Sequence, residues 1–250
     1  MRFMVMHKVD AHMEAGGAPD QKIIQGMGRL VGDSLKDGTF LDGAGLHRSA
    51  QRVRLRFAGG ECAVTQGPLV GDNELVASMA MIKVAGMEAA IGVAQKLAAA
   101  LAEPEVEIEI GPVVEAWDLG MMPKPEGLTS ARYLLLRKGG RASEAGAAPR
   151  PEVAAEVARV SEELRQAGVL LSAQSLAPSA KGARLARGPK DKRSWTDGPF
   201  TESKEMIAGF SVLGLPSLAE VKAWAERYAA ILDGNEVDVR LMVEGAGFLA

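Results

Sequence analysis

One cysteine in 250 residues, Cys62, leaves no partner for an intrachain disulfide and no ligand set for a cysteine-based zinc site. That usage fits a reducing compartment. Histidine occurs three times, as His7, His12 and His47, too irregularly placed to suggest a metal site. Basic excess is also missing: 29 Lys and Arg face 32 Asp and Glu, a net charge of −3, which removes the simplest electrostatic basis for binding nucleic acid. Long apolar runs are absent as well. Met1 to Met6 is cut off by His7, Lys8 and Asp10, and Met87 to Ala102 carries Glu88, Gln95 and Lys96. No Gly-x-Gly-x-x-Gly or phosphate loop precedes a helix, so no nucleotide cofactor is indicated and none of any kind is expected. A cytoplasmic protein without membrane or nucleic-acid partners is the expectation. Aromatics make up 4% of residues against 12 methionines, so flexible aliphatic side chains must fill most of the interior.

What is present is an internal duplication. Arg2-Phe3-Met4-Val5-Met6 recurs as Arg132-Tyr133-Leu134-Leu135-Leu136, 130 residues on. At the same spacing Gly38-Thr39-Phe40-Leu41 recurs as Gly168-Val169-Leu170-Leu171, and Arg54-Leu55 as Arg184-Leu185. Thr65-Gln66-Gly67-Pro68 matches Thr196-Asp197-Gly198-Pro199 at 131, and Glu107 to Ile110 aligns with Asp238 to Leu241 at the same 131. A near-constant shift over half the chain predicts two homologous domains, residues 1–116 and 132–250, joined by a linker over 117–131.

Each copy reads as strand, helix, strand, hairpin, strand, helix, strand. Apolar spacing at Ile23, Met27, Leu30/Val31 and Leu35, matched by Val153, Val157, Val160 and Leu164, predicts the first helix of each copy. Gly38 and Gly168 sit where such a helix ends, and Pro151 suits a first turn. Ser217-Leu218-Ala219-Glu220 reads as a capping box before a second helix, with Leu218, Val221, Ala225, Tyr228 and Leu232 on one face and Gly234 at its close. The order βαββαβ with an added hairpin predicts an α+β protein of two tandem ferredoxin-like units. Strand Met206 to Leu215 is apolar on both faces, with Met206, Ala208, Phe210 and Val212 on one and Ile207, Leu213 and Leu215 on the other. Two such sheets should pack back to back as a pseudo-dimeric α/β barrel around a shared cavity. On the last strands, Asp238 and Arg240 in one copy and Glu107 and Glu109 in the other point toward that space. Buried charges of this kind predict either structural ion pairs or a polar pocket.

The run Thr196-Asp197-Gly198-Pro199-Phe200-Thr201-Glu202-Ser203-Lys204-Glu205, with Gly209-Phe210 and Ala223-Trp224-Ala225 after it, resembles the YCII-related, or DGPF-domain, family. Asp42-Gly43-Ala44-Gly45-Leu46 is similar to the family's second strand. The first copy departs from the motif, with Gln66 for the Asp, Leu69 for the Phe and Asn73-Glu74 for Lys204-Glu205. The resemblance implies a ferredoxin-like unit that pairs into a barrel. Related barrels include muconolactone-isomerase-like enzymes and haem- or quinone-handling monooxygenases, and some members lie beside extracytoplasmic-function sigma factors. A His on the first helix of the narrower YCII branch falls on Met27 and Val157 here, so that dyad does not carry over. On its own physics, Asp197-Gly198-Pro199-Phe200 reads as a turn in which Asp accepts backbone amides and Phe200 pins the segment to the core.

The candidate acid–base residues are therefore His7, expected at the cavity mouth, and His47, near Asp42 in sequence. Candidate ligand-binding residues are Glu107, Glu109, Arg137, Trp195, Asp197, Asp238 and Arg240. Lys181, Arg184, Arg187, Lys190, Lys192 and Arg193 form a basic hairpin expected to be solvated. The first expectation is a barrel that binds a small organic molecule. The alternatives are a cofactor-independent isomerase, lyase or oxygenase, or a protein-interaction module in a regulatory system. A monomer and an outer-surface homodimer both remain open.

Overall fold

A computed structural model describes every residue except 18–19, 73, 188–191, 201–205, 233–235 and 250. Ala18-Pro19, Asn73, Lys190, Gly234 and the motif segment Thr201 to Glu205 thus lie outside the described residues. The chain runs β1 (Arg2–Lys8), α1 (Ala11–Glu14), α2 (Gln21–Lys36), β2 (Phe40–Leu46), β3 (Val53–Ala58), β4 (Glu61–Gln66), β5 (Val76–Val84), α3 (Met87–Leu101) and β6 (Glu105–Val114). The same order follows as β7 (Ala131–Lys138), α4 (Arg141–Glu144), α5 (Pro151–Gln166), β8 (Leu170–Leu176), β9 (Ala183–Arg187), β10 (Arg193–Asp197), β11 (Ile207–Gly214), α6 (Leu218–Ile231) and β12 (Val237–Val243). Short 3-10 turns at Ser49–Gln51 and Ser179–Lys181 precede β3 and β9.

The fold is α+β, with a closed antiparallel barrel of eight strands. Its order is β1-β11-β2-β6-β7-β5-β8-β12, and β12 pairs back to β1. Closure leaves no free edge in the ring. The hairpins β3–β4 and β9–β10 extend outward from β6 and β12. Two seams are short: Gly45 and Leu46 of β2 meet Val114 and Val113 of β6, and Leu176 and Ser175 of β8 meet Met242 and Val243 of β12. The other ladders of the ring are longer. The seams divide it into an arc β12-β1-β11-β2, carrying α2 and α6, and an arc β6-β7-β5-β8, carrying α3 and α5. Each arc draws two strands and one helix from residues 2–114 and the rest from residues 131–243, so the halves interleave rather than sit side by side.

Burial explains the layers. Outward-facing Phe3, Val5, Leu213, Val237 and Val239 pack under Val221, Trp224, Ala225 and Tyr228 of α6, while Leu55, Ile108, Ile110 and Leu135 pack under α3 and α5. The intervening residues point inward. Met4, Met6, Met79, Met81, Leu134, Leu136, Phe210, Val212 and Met242 fill the barrel as one apolar cluster. The expected shared cavity is therefore replaced by a packed core: β1, β7 and β11 are apolar on both faces, and unbranched methionines adapt to the space inside.

Several local expectations change. Leu35 is 57% exposed, and α2 buries Leu30 and Ser34 instead. Ser217 does cap α6 by accepting from Glu220 N, but the Glu220 carboxylate accepts from the Ser217 hydroxyl rather than reaching the Ser217 amide. Ile207 joins Phe210 and Val212 inside the barrel, because the pairing with β1 shifts between His7 and Lys8 and a bulge at Ala208 reverses the alternation. The last strands also align differently. Arg54 registers with Glu109, and Arg184 with Asp238, so the shift there is 129 rather than 131. A two-residue slip preserves the in–out alternation of a strand, which is why patterning alone did not detect it.

Candidate functional site

The strand charges form two buried ion clusters. In the first, Glu109 is fully buried and meets Arg52 Nη1 at 3.0 Å, Arg54 Nη2 at 3.1 Å and Lys138 Nζ at 3.2 Å. Glu74 joins it through Arg54 at 2.7 Å and through Lys138. Burial alone would raise the Glu109 carboxyl, but the three surrounding cations overcome that and hold it down to about 2. In the second, Asp238 meets Lys8 Nζ at 2.9 Å and Arg184 Nε at 2.6 Å. Burial opposes ionisation here too, and Lys8 and Arg184 again hold the carboxyl below its ordinary value. The conflict between buried charge and apolar strand is thus settled by pairing.

Both clusters adjoin a shared turn design. Glu14 on α1 accepts from the Ser49 amide at 3.1 Å and from its hydroxyl, and Ser49 Oγ accepts from the Leu69 amide at 3.1 Å. Glu144 on α4 accepts from the Ser179 amide at 2.9 Å and from its hydroxyl, and Ser179 Oγ accepts from Phe200 N at 2.9 Å. Gly67-Pro68 and Gly198-Pro199 are both cis. A Cβ on either glycine would lie 1.8 Å from a carbonyl oxygen, that of Ser49 or Ser179. Only glycine can therefore lie this close to the 3-10 turn. Asp197 pairs with Lys222 at 2.7 Å, and the Arg184 guanidinium lies 4.4 Å from the Phe200 ring centroid. Asp197, Gly198 and Phe200 of the Asp-Gly-Pro-Phe block therefore each have a structural contact.

The two ends differ in where an arginine comes from. Arg52, at the end of the first turn, donates through Nε to His47 O at 2.6 Å, facing Gly111 on β6. At the other end the turn residue is Gly182, and Arg240 from β12 fills the space, donating through Nη2 to Ala177 O at 2.6 Å and to Glu144 at 3.1 Å. Gly182 has no room for a Cβ, whose nearest neighbours would be Val239 O at 2.4 Å and Arg240 Cδ at 3.0 Å. Arginine and glycine have exchanged places between turn and strand.

Beside the first turn lies a cleft of about 310 Å³, bounded by residues 9–17, the end of β2, the 3-10 turn and the segment after β6. Its polar lining is Glu14, His47, Arg48, Gln51, Arg52 and Asp118, and its apolar lining includes Val9, Met13, Leu46, Val114 and Leu119. His47 Nε2 lies 3.3 Å from Asp118 Oδ2, which also accepts the Glu115 amide at 2.8 Å. An imidazole oriented by a carboxylate in a cleft can move a proton to or from a bound molecule. The corresponding positions at the other end, 130 residues on, are Ala177, Pro178 and Lys181. There Pro178 packs against Gly146, 3.2 Å from the point a Cβ would occupy.

The structure does not gather the sequence-derived candidates into one site. His7 lies on the helix side of β1, with Nδ1 2.6 Å from the Tyr228 hydroxyl. Burial lowers it to about 4, with Arg52 and Lys8 adding to the effect against Asp10. The neutral imidazole is thus hydrogen-bonded to Tyr228 rather than facing a cavity mouth. Arg137 shares that face and pairs with Glu103 at 2.6 Å. Glu107 pairs with Arg54 and Arg56 near the surface. Trp195 donates to Glu226 at 2.8 Å on the outside of α6, with Asp197 nearby through Lys222. Glu109, Asp238 and Arg240 are locked in the buried clusters, and His47 alone lines the cleft. Within the basic hairpin, Arg184 is drawn inward by Asp238 rather than solvated. Reasoning from sequence missed Glu14, Ser49, Arg52, Lys138 and Asp118. Glu14 and Ser49 recur as Glu144 and Ser179 at the 130-residue spacing, a signal that could have found them.

Against known proteins, residues 131–243 match the YCII-related domain, so that segment carries a YCII-related domain. No curated protein matches the chain. Among the described residues no helix is long and apolar enough to cross a membrane, and no cluster of His, Cys, Asp and Glu is arranged to hold a metal ion.

Proposed function

We propose that this protein binds a small organic molecule in the cleft beside His47, on a scaffold formed by two tandem, ferredoxin-like YCII/DGPF units fused so that each supplies half of either arc. The observation that carries this reading is the asymmetry of the two ends. One retains His47, Arg48, Gln51 and Asp118 around an open cleft, while the other has Ala177, Pro178 and Lys181. Packing alone would not require a polar group set at one end only. The repeated element order and the Glu–Ser turn found twice support the fusion, and one molecule then acts as its own partner. The single cysteine supports a cytoplasmic setting. The Asp-Gly-Pro-Phe block, on this reading, is a clamp for the 3-10 turn rather than a catalytic group.

A thermal-shift screen of neutral, cationic and anionic organic compounds tests the proposal. At least one class should raise Tm, and His47→Ala should abolish that shift while leaving the unliganded Tm within about 2 °C, as for a surface substitution. Absence of stabilisation by every class would retire it. The His47–Asp118 pair favours a second reading, in which the bound molecule is isomerised, eliminated or oxygenated with His47 as acid–base. His47→Gln would then retain binding and lose turnover.

A further inference from the structure

The ring of the barrel closes, but the hairpins outside it end in free edges: β4 pairs with β3 alone and β10 with β9 alone. Which backbone groups β4 leaves open follows from its register. Gly67 N donates to Arg52 O at 2.9 Å, and hydrogen-bonded pairs recur at every second residue of an antiparallel ladder. Thr65, Ala63 and Glu61 therefore bond Arg54, Arg56 and Ala58, while the amides and carbonyls of Cys62, Val64 and Gln66 point outward. Nothing among the described residues bonds them. An edge of this kind is ordinarily guarded by charge, proline or a bulge. β10 has such guards: Arg193 and Asp197 stand at its ends, and α6 holds its side chains through Ala229 O, Glu226 and Lys222. β4 carries one charge, Glu61, no proline and an unbroken register. None of its side chains makes a hydrogen bond or ion pair among the described residues. Val64 shares a face with Leu55, its partner on β3 and part of the core beneath α3, yet is 46% exposed.

We propose that β4 pairs with the β4 of a second copy of this chain, antiparallel about a two-fold axis at Val64. Outward-pointing residues must face one another, and centring on Val64 sets Cys62 opposite Gln66 of the second copy. All three outward residues then pair, forming about six main-chain hydrogen bonds. A shift toward the turn would instead bring in Gly60, whose left-handed φ of 84° ends the ladder. Glu61 falls beyond the paired stretch at either end, so no like charges meet. The row Leu55–Val64 of one copy continues into Val64–Leu55 of the other, which covers the exposed valine and extends the apolar layer. An isologous contact requires a patch that matches itself, and this edge does so in spacing, charge and apolar face. β4 contributes no residue to the cleft, so the pairing stands apart from the ligand-binding reading.

Sedimentation equilibrium of the full chain from micromolar to millimolar concentration tests the pairing. A reversible dimer should appear, with a dissociation constant in the micromolar range or weaker, since one pair of edge strands buries little area. Val64→Pro removes an outward amide, leaves the ladder to β3 intact, and should weaken the dimer on the order of 10-fold or more. Val64→Lys, a change at an exposed position that the fold itself tolerates, should weaken it to a similar extent. In a Cys62→Ser background, Val64→Cys should give a covalent dimer on mild oxidation, because the axis sets the two residues opposite each other at about 5.5 Å between Cα atoms. Val70→Cys, at a position 81% exposed but off the edge, should cross-link far more slowly. A chain that stays monomeric to millimolar concentration would overturn the proposal. So would a dimer unchanged by both Val64→Pro and Val64→Lys, or cross-linking through Val70→Cys as fast as through Val64→Cys.

Discussion

The turn at Ser49–Gln51 and the turn at Ser179–Lys181 share a skeleton and differ in chemistry. Each is held by a glutamate from a one-turn helix, a serine that relays to a distant amide, and a cis Gly-Pro pressed on the serine carbonyl. Around that skeleton, the first end admits Arg52 from the turn and leaves a polar cleft, while the second admits Arg240 from the strand and packs Pro178 against Gly146. The segment matching the YCII-related domain is 131–243, yet the cleft is lined largely by residues outside it. The cleft therefore lies largely outside the segment nearest to a family pattern. A turn skeleton present at both ends allows different linings, because the backbone anchors do not depend on the side chains that face solvent.

The sharpest break of this comparison comes at the glycines. Gly198→Ala and Gly67→Ala each force a methyl onto a carbonyl oxygen that is backbone and cannot swing away. Each should cost about 3 kcal/mol or more in urea denaturation, by similar amounts if the turns are equivalent. A substitution costing less than 1 kcal/mol at one end would show that its turn relaxes and the skeleton is not shared.

The ion clusters should separate the ends next. Glu109→Gln leaves Arg52, Arg54 and Lys138 facing one fewer carboxylate, and should destabilise by about 3 kcal/mol. Asp238→Asn removes the nearest carboxylate of Lys8 and Arg184, and about 2 kcal/mol is expected because both keep Glu236, at 4.0 and 3.2 Å. Equal losses would mean that the number of partners does not matter here.

The arginine exchange can be reversed. Arg52→Gly alone should lose roughly 2 kcal/mol through Glu109 and the His47 carbonyl. Adding Gly111→Arg, which copies the Arg240 arrangement, should recover about half of that in a double-mutant cycle. Purely additive losses would deny that the two positions address one space.

The last effect is one of pH. His7 has its folded value lowered to about 4 from the ordinary 6.5, so the folded state prefers the neutral ring. Its contribution is full above about 6.5 and is lost as pH falls through 4, a change of roughly 2 kcal/mol after allowance for its partial exposure. Glu109, held down to about 2, acts in the same direction at lower pH, its stabilisation present above about 4.5 and lost toward 2. In His7→Phe the loss between pH 6.5 and 4 should flatten while the steeper fall below 4 persists. An unchanged profile would assign the upper transition to another group.

Much of this was legible in the chain itself. Periodic apolar positions located α5 and α6, and the recurrence of short segments at one spacing pointed to paired elements throughout. Double-faced strands announced a sheet covered on both sides. The candidate site was less legible. His47 was named, but its partner Asp118 lies 71 residues away on a turn with no motif, and Arg52 looks like any arginine beside a strand. Asp42, the carboxylate nearest to His47 in sequence, bonds its neighbour Gly43 instead.

Alternation and spacing thus determined which residues are apolar, which faces they share and that the chain carries two similar sets of elements. Only tertiary structure decided which strands pair across the halves, that methionines close the barrel interior, and that the last strand is offset by 129. The reason is physical. Local patterns record the period of a helix or strand, whereas register and neighbour choice are set by contacts between residues far apart in the chain, and a shift of two leaves every local pattern intact.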